Sequence, residues 1–193
     1  MVISSKCINK TDDQIVVLTL KNQDYYLCLM KRYEDKLLNY ILKISNTSRE
    51  DAEDILQEVF IKAYQNLNDF DLNFTFSNWI YSIARNTTIS AFRKKKVRPQ
   101  TVSWEDKDLN NLLQSTLDIE NTSHQKLIYK HILKIINQLP LKYKDVLILK
   151  FVEGKDYQEI GDILHKPMGT VGTLINRAKK SLKQELKKED ITL

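Results

Sequence analysis

The amino-acid sequence predicts an all-α protein made of two small helical domains joined by a flexible linker. Apolar residues recur at the three-to-four-residue spacing of amphipathic helices along most of the 193 residues. Only four Gly and three Pro occur in the chain, so few positions interrupt those helices. A segment without a sustained apolar stripe, residues 99–123, separates the two helical stretches. These observations predict one domain at residues 1–98 and a second at residues 124–193.

The charge and the cysteines limit the class of protein. The net charge of +5 and the pI of about 9.0 permit binding to a polyanion but do not require it. Cys7 and Cys28 are too far apart in sequence for a paired metal motif, and we expect free thiols in a reducing compartment. Neither a signal peptide nor an apolar stretch long enough to cross a membrane is visible. The sequence therefore predicts a soluble, cytoplasmic protein.

Two helices are predicted after a loose leader at residues 1–9. The first is short, covers residues 13–21, and has either Thr11 or Asp12 as its cap. The second covers residues 23–44, where apolar and tyrosine side chains keep helical spacing.

A third helix is predicted after Ser48, which fits a capping box with Asp51. Acidic residues crowd its first turns, where the helix dipole favours negative charge. The apolar stripe consists of Ala52, Ile55, Leu56, Val59, Phe60, Ala63 and Leu67. The opposite face is acidic and carries Glu50, Glu53, Asp54 and Glu58.

An aromatic loop and a basic helix follow the third helix. The loop carries Phe70, Phe74 and Phe76, and Trp79 lies on the first turn of a helix predicted from Ser77 onward. The outer face of that helix is predicted to hold Ser82, Arg85, Asn86, Arg93 and Lys96, and a cationic run ends the helix at residues 93–98. Aromatic surfaces beside a cationic helix suit single-stranded nucleic acid, because bases stack on rings and phosphates need neutralising. The alternative is that the aromatic residues belong to the core and that the lysines are simply solvated.

The linker at residues 99–123 is rich in Asn, Asp, Ser and Thr and is acidic. A short helix at residues 109–114 is the one regular element predicted within it.

The second domain ends in a predicted helix-turn-helix, of winged-helix-like type. Helices are predicted from residue 124 to Pro140 and from residue 142 to 152. Asp156 and Glu159 then form a capping box for a short helix, residues 165–169 make a tight turn, and a long helix covers residues 170–188. Such a second helix enters the major groove with its first residues leading.

The exposed face of the long helix carries short polar groups at its start and cations farther along, which suit base edges and phosphates respectively. Its residues are Thr170, Gly172, Thr173, Asn176, Arg177, Lys180 and Lys183. The alternative is a basic surface helix that packs only on its own domain.

An enzyme is the poorest interpretation of this sequence. His124, His131 and His165 are scattered, and the chain has no metal-ligand spacing, phosphate-binding loop or nucleophile elbow. We therefore expect no catalytic residue, no metal and no cofactor.

The sequence of the first domain resembles that of a known family. The segments DYYLCLMKRYEDKLLNYIL, DAEDILQEVFIKAY and FSNWIYSIARN resemble the core-binding, promoter-melting domain of bacterial RNA polymerase sigma factors. The resemblance is to the extracytoplasmic-function (ECF) group of the sigma-70 family. It implies that core polymerase contacts Asp51, Asp54, Gln57 and Glu58. It also implies that the −10 element contacts Phe74, Phe76, Trp79, Arg85, Asn86 and Arg93.

The second domain resembles the part of the same family that recognises the −35 element. The matching segment is LPLKYKDVLILKFVEGKDYQEIGDILHKPMGTVGTLINRAKKSL. The resemblance implies −35 contacts from Thr170, Gly172, Thr173, Asn176, Arg177 and Lys180. The chain departs from the family at Gly172, Thr173 and Leu174, where a basic residue, a serine and an arginine are usual, and at Ser90, where an aspartate is common. The base specificity of the family is therefore not assigned to this chain.

The resemblance predicts an alternative sigma factor that binds core RNA polymerase, directs it to −10 and −35 promoter elements and promotes melting. Promoter DNA and core polymerase are the expected partners, and a flexible linker between two polymerase-binding domains would permit an anti-sigma factor to hold them closed. The resemblance implies that the acidic linker passes near the polymerase active channel, and the alternative is a solvated tether. The rival hypothesis is a conventional helix-turn-helix regulator that binds duplex DNA without polymerase.

Overall fold

The computed structural model describes residues 7–95 and 123–188, with side chains described for residues 7–93 and 131–188. All regular secondary structure in these ranges is helical, which confirms the predicted all-α class. In chain order the α-helices are α1 Asp12–Lys21, α2 Tyr26–Ser45, α3 Arg49–Gln65, α4 Phe76–Lys95, α5 Ser123–Gln138, α6 Leu141–Leu147, α7 Tyr157–Leu164 and α8 Met168–Lys188. Most of the predicted linker, with its short helix, lies outside the described residues.

The described residues separate into two compact units. The first contains residues 7–41 and 50–95, and the second contains residues 42–49 and 123–188. Within the second unit, the buried Lys43 ammonium lies 3.3 Å from the carboxylate of Glu153. Burial lowers the pKa of Lys43, and the charge and hydrogen bond of Glu153 act in the opposite direction.

Helix α1 begins with a capping box that settles which residue caps it. The Thr11 hydroxyl accepts a hydrogen bond from the Gln14 backbone N–H at 3.3 Å, and the Gln14 side chain accepts one from the Thr11 N–H at 3.1 Å. Thr11, rather than Asp12, is therefore the cap. A 3₁₀ turn, Gln23–Tyr25, then leads into α2.

The buried stripe of α3 agrees with the sequence pattern at every position. The helix begins at Arg49, directly after Ser48. Its buried residues are Ala52, Ile55, Leu56, Val59, Phe60 and Ala63, and Leu67 is buried just beyond the helix.

The expectation of free thiols is wrong, because Cys7 and Cys28 form a disulfide with their Cα atoms 6.2 Å apart. The chain turns after α1 and brings the segment before α1 against α2. Arg32 on α2 holds that segment by donating to the carbonyl oxygens of Cys7 at 3.2 Å and Lys10 at 3.0 Å. A separation of 21 residues in sequence therefore does not prevent the two sulfurs from meeting.

The second unit ends in the predicted helix-turn-helix. The Asp156 and Glu159 side chains each accept a hydrogen bond of 2.8 Å from the other residue's backbone N–H, which confirms the capping box of α7. His165 ends α7 in the left-handed region, with φ of 51°. Helix α8 begins at Met168, two residues earlier than predicted. The Pro167 carbonyl accepts hydrogen bonds from the N–H groups of Thr170 at 2.9 Å and Val171 at 3.1 Å.

The helix predicted at residues 142–152 is divided in the structure. Helix α6 ends at Leu147, and a π-helical turn covers Ile148–Val152. Gly154 follows with φ of 68°, a conformation in which glycine carries no steric penalty.

Candidate functional site

The outer face of α3 is acidic and open to solvent. Asp54, Gln57 and Glu58 are exposed, and Asp51 is half-buried one turn earlier. Their spacing of three and four residues places all four on one side of the helix. Glu58 also pairs with Lys62 at 2.6 Å, a solvent-exposed pair that contributes little to stability.

An apolar groove of about 580 Å³ lies beside this acidic face, between α2 and α3. Its apolar lining consists of Tyr26, Leu27, Met30, Phe60, Ile61 and Tyr64. Its polar lining consists of Gln23, Asp24, Gln57 and Gln65. Gln57 therefore belongs both to the acidic face and to the groove.

The groove was not predicted from the sequence, because it needs two helices to be brought together. Ile61 was the available signal: it is apolar, lies outside the buried stripe, and is 57% exposed. The walls are fixed by the Tyr26 hydroxyl, which donates to the Phe60 carbonyl at 2.6 Å, and by the Tyr26 and Tyr64 rings, whose centroids are 5.0 Å apart.

The four aromatic residues from Phe70 to Trp79 divide into a buried cluster and one exposed ring. Phe76 is only 1% exposed and lies 5.7 Å from Phe70 and 5.6 Å from Trp79 between ring centroids. Trp79 is half-buried on the same cluster, 5.1 Å from Phe70. Phe74, by contrast, is 53% exposed. Phe74 and Trp79 are therefore the aromatic residues of this group that solvent can reach most readily.

The loop that carries Phe74 is held by local hydrogen bonds. The Asp71 carboxylate accepts one at 2.9 Å from the Asn73 backbone and one at 2.8 Å from the Asn73 side chain. The Phe74 N–H donates to the Asp71 carbonyl at 3.0 Å. The Thr75 hydroxyl then accepts from the Asn78 N–H at 3.4 Å, at the start of α4.

The aromatic cluster is also joined to the N-terminal segment. The Tyr33 ring packs edge-on against Phe76 with centroids 5.5 Å apart, and its hydroxyl donates to Asp12 at the start of α1. Burial raises the pKa of Tyr33, and the hydrogen bond and charge of Asp12 raise it further. The phenol therefore stays protonated and remains a donor. Asp12 is fixed in turn by Arg32.

The outer face of α4 agrees in part with the prediction. Asn86 and Arg93 are exposed, and Arg85 is half-buried, with its guanidinium 3.5 Å from the Asn86 side-chain oxygen. The prediction for Ser82 is wrong, because this residue is buried at 6% exposure. The buried side of α4 is wider than the periodicity suggested, since Tyr81 next to it packs on Tyr40 with centroids 5.1 Å apart. Lys96 lies outside the described residues.

The start and outer face of α8 are open. Thr170, Thr173, Asn176, Arg177, Lys180 and Lys183 are exposed, and Gly172 is half-exposed. The Thr173 hydroxyl is engaged, donating to the Gly169 carbonyl at 3.0 Å. Met168, the first residue of the helix, is 57% exposed.

Among residues 131–188, lysines lie over aromatic rings at three places, within the distance of a cation–π contact. Lys142 lies 5.0 Å from the centroid of Tyr143, Lys150 lies 5.2 Å from Tyr157, and Lys179 lies 5.1 Å from Phe151.

Within the described ranges, no three His, Cys, Asp or Glu side chains come together in a way that could hold a metal ion. In the same ranges, no helix has the length and apolar character needed to cross a membrane.

Comparison with known families matches both units. The model described as Sigma-70 region 2 matches residues 29–98, and the model described as Sigma-70, region 4 matches residues 130–182. The ECF RNA polymerase sigma factor SigW of Bacillus subtilis is 33% identical over 180 residues, which cover 86% of this chain and 91% of the relative. This chain belongs to the ECF sigma factors.

Further relatives give the same assignment. The ECF RNA polymerase sigma-E factor of Escherichia coli K12 is 27% identical over 177 residues, which cover 88% of this sigma factor and 92% of the relative. As a member of this family, the protein is an alternative sigma factor that directs RNA polymerase to promoters, and the rival hypothesis of a polymerase-independent regulator is not favoured.

Solved structures share the fold of this sigma factor. CnrH, in complex with the cytosolic domain of CnrY, has a TM-score of 0.67 at 18% identity, covering 92% of this chain and 98% of CnrH. RpoE of Bartonella quintana, in complex with the anti-sigma factor NepR, has a TM-score of 0.60 at 21% identity, covering 82% of this chain and 94% of RpoE.

Proposed function

We propose that this sigma factor docks on core RNA polymerase through the acidic face of α3 together with the neighbouring apolar groove. The observation that supports this most directly is the exposure of Leu27, Ile61 and Tyr64 in the groove, beside the acidic face of α3. Apolar burial would supply affinity, and the carboxylates would steer a basic partner surface and fix its register. In this proposal residues 1–98 form the polymerase-binding and −10 domain.

The −10 element would be held by the aromatic cluster and the outer face of α4. Phe74 and Trp79 can receive unstacked bases, and one base–aromatic stack contributes about 1–3 kcal/mol. Arg85, Asn86 and Arg93 would bind the sugar-phosphate backbone of the displaced strand. Because Phe76 is buried, we assign it the role of supporting Trp79 rather than touching a base.

The −35 element would be recognised by α8. Thr170, Gly172 and Thr173 lie on the first two turns, where a recognition helix approaches base edges. Asn176, Arg177 and Lys180 follow on later turns and would contact base edges or phosphates. In this proposal residues 124–193 form the −35 domain, and residues 99–123 join it to the first domain. The chain would work in the cytoplasm and catalyse no reaction itself.

An anti-sigma factor is a further proposed partner. Two proteins of similar fold, CnrH and RpoE, were solved in complexes with CnrY and with the anti-sigma factor NepR. The apolar groove offers a surface for such a partner, and occupation of the groove would compete with polymerase.

The first experiment is co-elution of the purified chain with bacterial core RNA polymerase on a sizing column. We expect a one-to-one complex for the wild type and a weakened one for Ile61→Lys, which places a charge in the apolar groove. The matched control is Leu20→Lys on α1, where an apolar residue of similar exposure lies outside the groove lining. A chain that stays free of polymerase yet shifts duplex DNA alone would overturn the proposal.

A second experiment separates polymerase docking from strand opening. Arg85→Ala and Arg93→Ala should reduce opening of a supercoiled promoter, measured by permanganate reactivity of unpaired thymines, while co-elution with polymerase is retained. Equal loss of both activities would count against the assigned roles of these arginines.

A further inference from the structure

Tyr157 lies against the recognition helix at Gly172, a half-exposed position that has no side chain. A Cβ added to Gly172 would lie 3.6 Å from Cε1 and 3.9 Å from Cδ1 of the Tyr157 ring. These are ordinary van der Waals distances, so the ring edge covers the place where a side chain of α8 would begin. The face of the recognition helix is therefore completed at Gly172 by a residue from α7.

The position of Tyr157 is fixed by its surroundings. It is the first residue of α7, directly after the capping residue Asp156. Lys150 lies 5.2 Å from the ring centroid, and its ammonium also donates to the Lys155 carbonyl at 3.2 Å. The ring is nevertheless 37% exposed. It is thus a positioned but accessible apolar surface.

Met168 extends this apolar surface along the helix. Residues four apart lie one above the other on a helix, so Met168 lies one turn before Gly172, and Asn176 lies one turn after it. Met168 is 57% exposed. Met168 and the Tyr157 ring edge are therefore two exposed apolar surfaces about one turn apart along the start of α8, where a recognition helix approaches base edges.

We propose that Tyr157 is a specificity-determining residue, which with Met168 selects thymine in the −35 element by contact with the 5-methyl group. In the major groove the methyl of thymine is the apolar feature among the base edges, and apolar side chains distinguish thymine by touching it. This inference rests on the proposed −35 role of α8 and adds to it a residue outside that helix.

The experiment uses holoenzyme assembled from the full chain and core polymerase. A −35 sequence is first selected from a randomised promoter library, and each thymine is then replaced singly by deoxyuridine, which lacks only the methyl group. We expect at least one replacement to weaken promoter binding by about fourfold, the factor for one buried methyl group. With Tyr157→Ala the thymine-to-deoxyuridine ratio at that position should fall towards one.

Two further variants make the result specific. Tyr157→Phe keeps the ring edge and should keep the ratio. Phe151→Ala removes another exposed ring with a lysine over it, away from Gly172, and should also leave the ratio unchanged. The ratio is measured on one preparation, so it does not depend on the fraction of a variant that folds.

The outcomes separate this inference from the proposed function. A wild-type holoenzyme that transcribes but shows no methyl-dependent position, or a Tyr157→Ala variant that keeps the wild-type ratio, overturns the inference alone. If Tyr157→Phe loses the wild-type ratio, the hydroxyl rather than the ring edge is responsible for it, and the inference is overturned. A chain that forms no holoenzyme overturns the proposed function and this inference together.

Discussion

The backbone carbonyl oxygen of Lys166 lies close to the position that a side chain on Gly161 would occupy. A Cβ built on Gly161 would be 2.8 Å from that oxygen, and the Lys166 N–H donates to the Gly161 carbonyl at 2.9 Å. The turn between α7 and α8 is therefore packed directly on the backbone of α7. A glycine at this position lets the recognition helix start where it does.

Gly161→Ala is accordingly expected to lower the free energy of unfolding by about 1–3 kcal/mol, the usual cost of overpacking. Urea unfolding of the full chain measures the change. The matched control is Gly169→Ala, because nothing lies within 4 Å of the added Cβ and alanine is the better helix former. Equal stability of the two variants would contradict the close-approach argument.

Lys144 should make stability depend on alkaline pH. Burial lowers the pKa of Lys144 from 10.5 to about 8, and the nearby Asp145 charge offsets this only in part. Between pH 8 and 10.5 the unfolded chain binds more protons at this residue than the folded chain. This residue's contribution to stability therefore rises with pH across that window. The lowered pKa of Lys144 corresponds to a change of about 3 kcal/mol in the free energy of unfolding across this window.

Urea unfolding at several pH values tests this by comparing the wild type with Lys144→Met and Lys144→Arg. Lys144→Met should be more stable than the wild type near pH 7, and the difference should shrink towards pH 10.5. Lys144→Arg cannot lose its proton, so it should stay less stable than Lys144→Met across the range. Parallel pH profiles of the wild type and Lys144→Met would show that Lys144 does not titrate as stated.

Reduction of the disulfide should destabilise the first unit. Cys7 and Cys28 close a loop with a sequence separation of 21 residues, for which the chain-entropy model gives about 3 kcal/mol. Trp79 fluorescence, recorded in a Trp104→Phe background, would follow unfolding of this unit with and without dithiothreitol. The Cys7→Ser, Cys28→Ser double variant should show the reduced stability in both conditions. A wild-type protein with the same stability in the presence and absence of dithiothreitol would contradict the prediction.

Phe74 and Phe76 should respond differently to truncation although both are aromatic residues near α4. Phe76→Ala removes a fully buried ring and should lower the free energy of unfolding by about 3–5 kcal/mol. Phe74→Ala should change it by less than about 0.5 kcal/mol, because the ring is exposed. We expect Phe74→Ala nonetheless to reduce promoter opening, measured by permanganate reactivity. Unchanged opening would remove Phe74 from the proposed −10 surface.

Those parts of the fold that depend on local spacing could be predicted from the sequence. The α3 stripe and the Asp156–Glu159 capping box need only residues three or four apart, and both agree with the structure. Helix-turn-helix topology follows from the same kind of local signal, because the turn at His165 separates two amphipathic patterns.

Features that join distant segments could not be predicted in this way. The Cys7–Cys28 bond depends on how the chain turns after α1, and the apolar groove depends on α2 meeting α3. The burial of Ser82 and Phe76 likewise follows from packing between helices rather than from the periodicity of apolar residues along α4. Tyr157 could not be predicted as a residue of the −35 surface, because its contact with Gly172 exists only once α7 and α8 are folded together.

The disulfide also changes how the first unit would respond to mechanical force. The bond joins Cys7 directly to Cys28, so residues 7–28 form a covalent ring that contains the whole of α1. Tension applied at the N-terminus passes through the two sulfurs into α2 and bypasses α1. Tension from that end would therefore leave α1 folded until α2 unfolds. In the reduced protein, α1 would be the first helix to unfold.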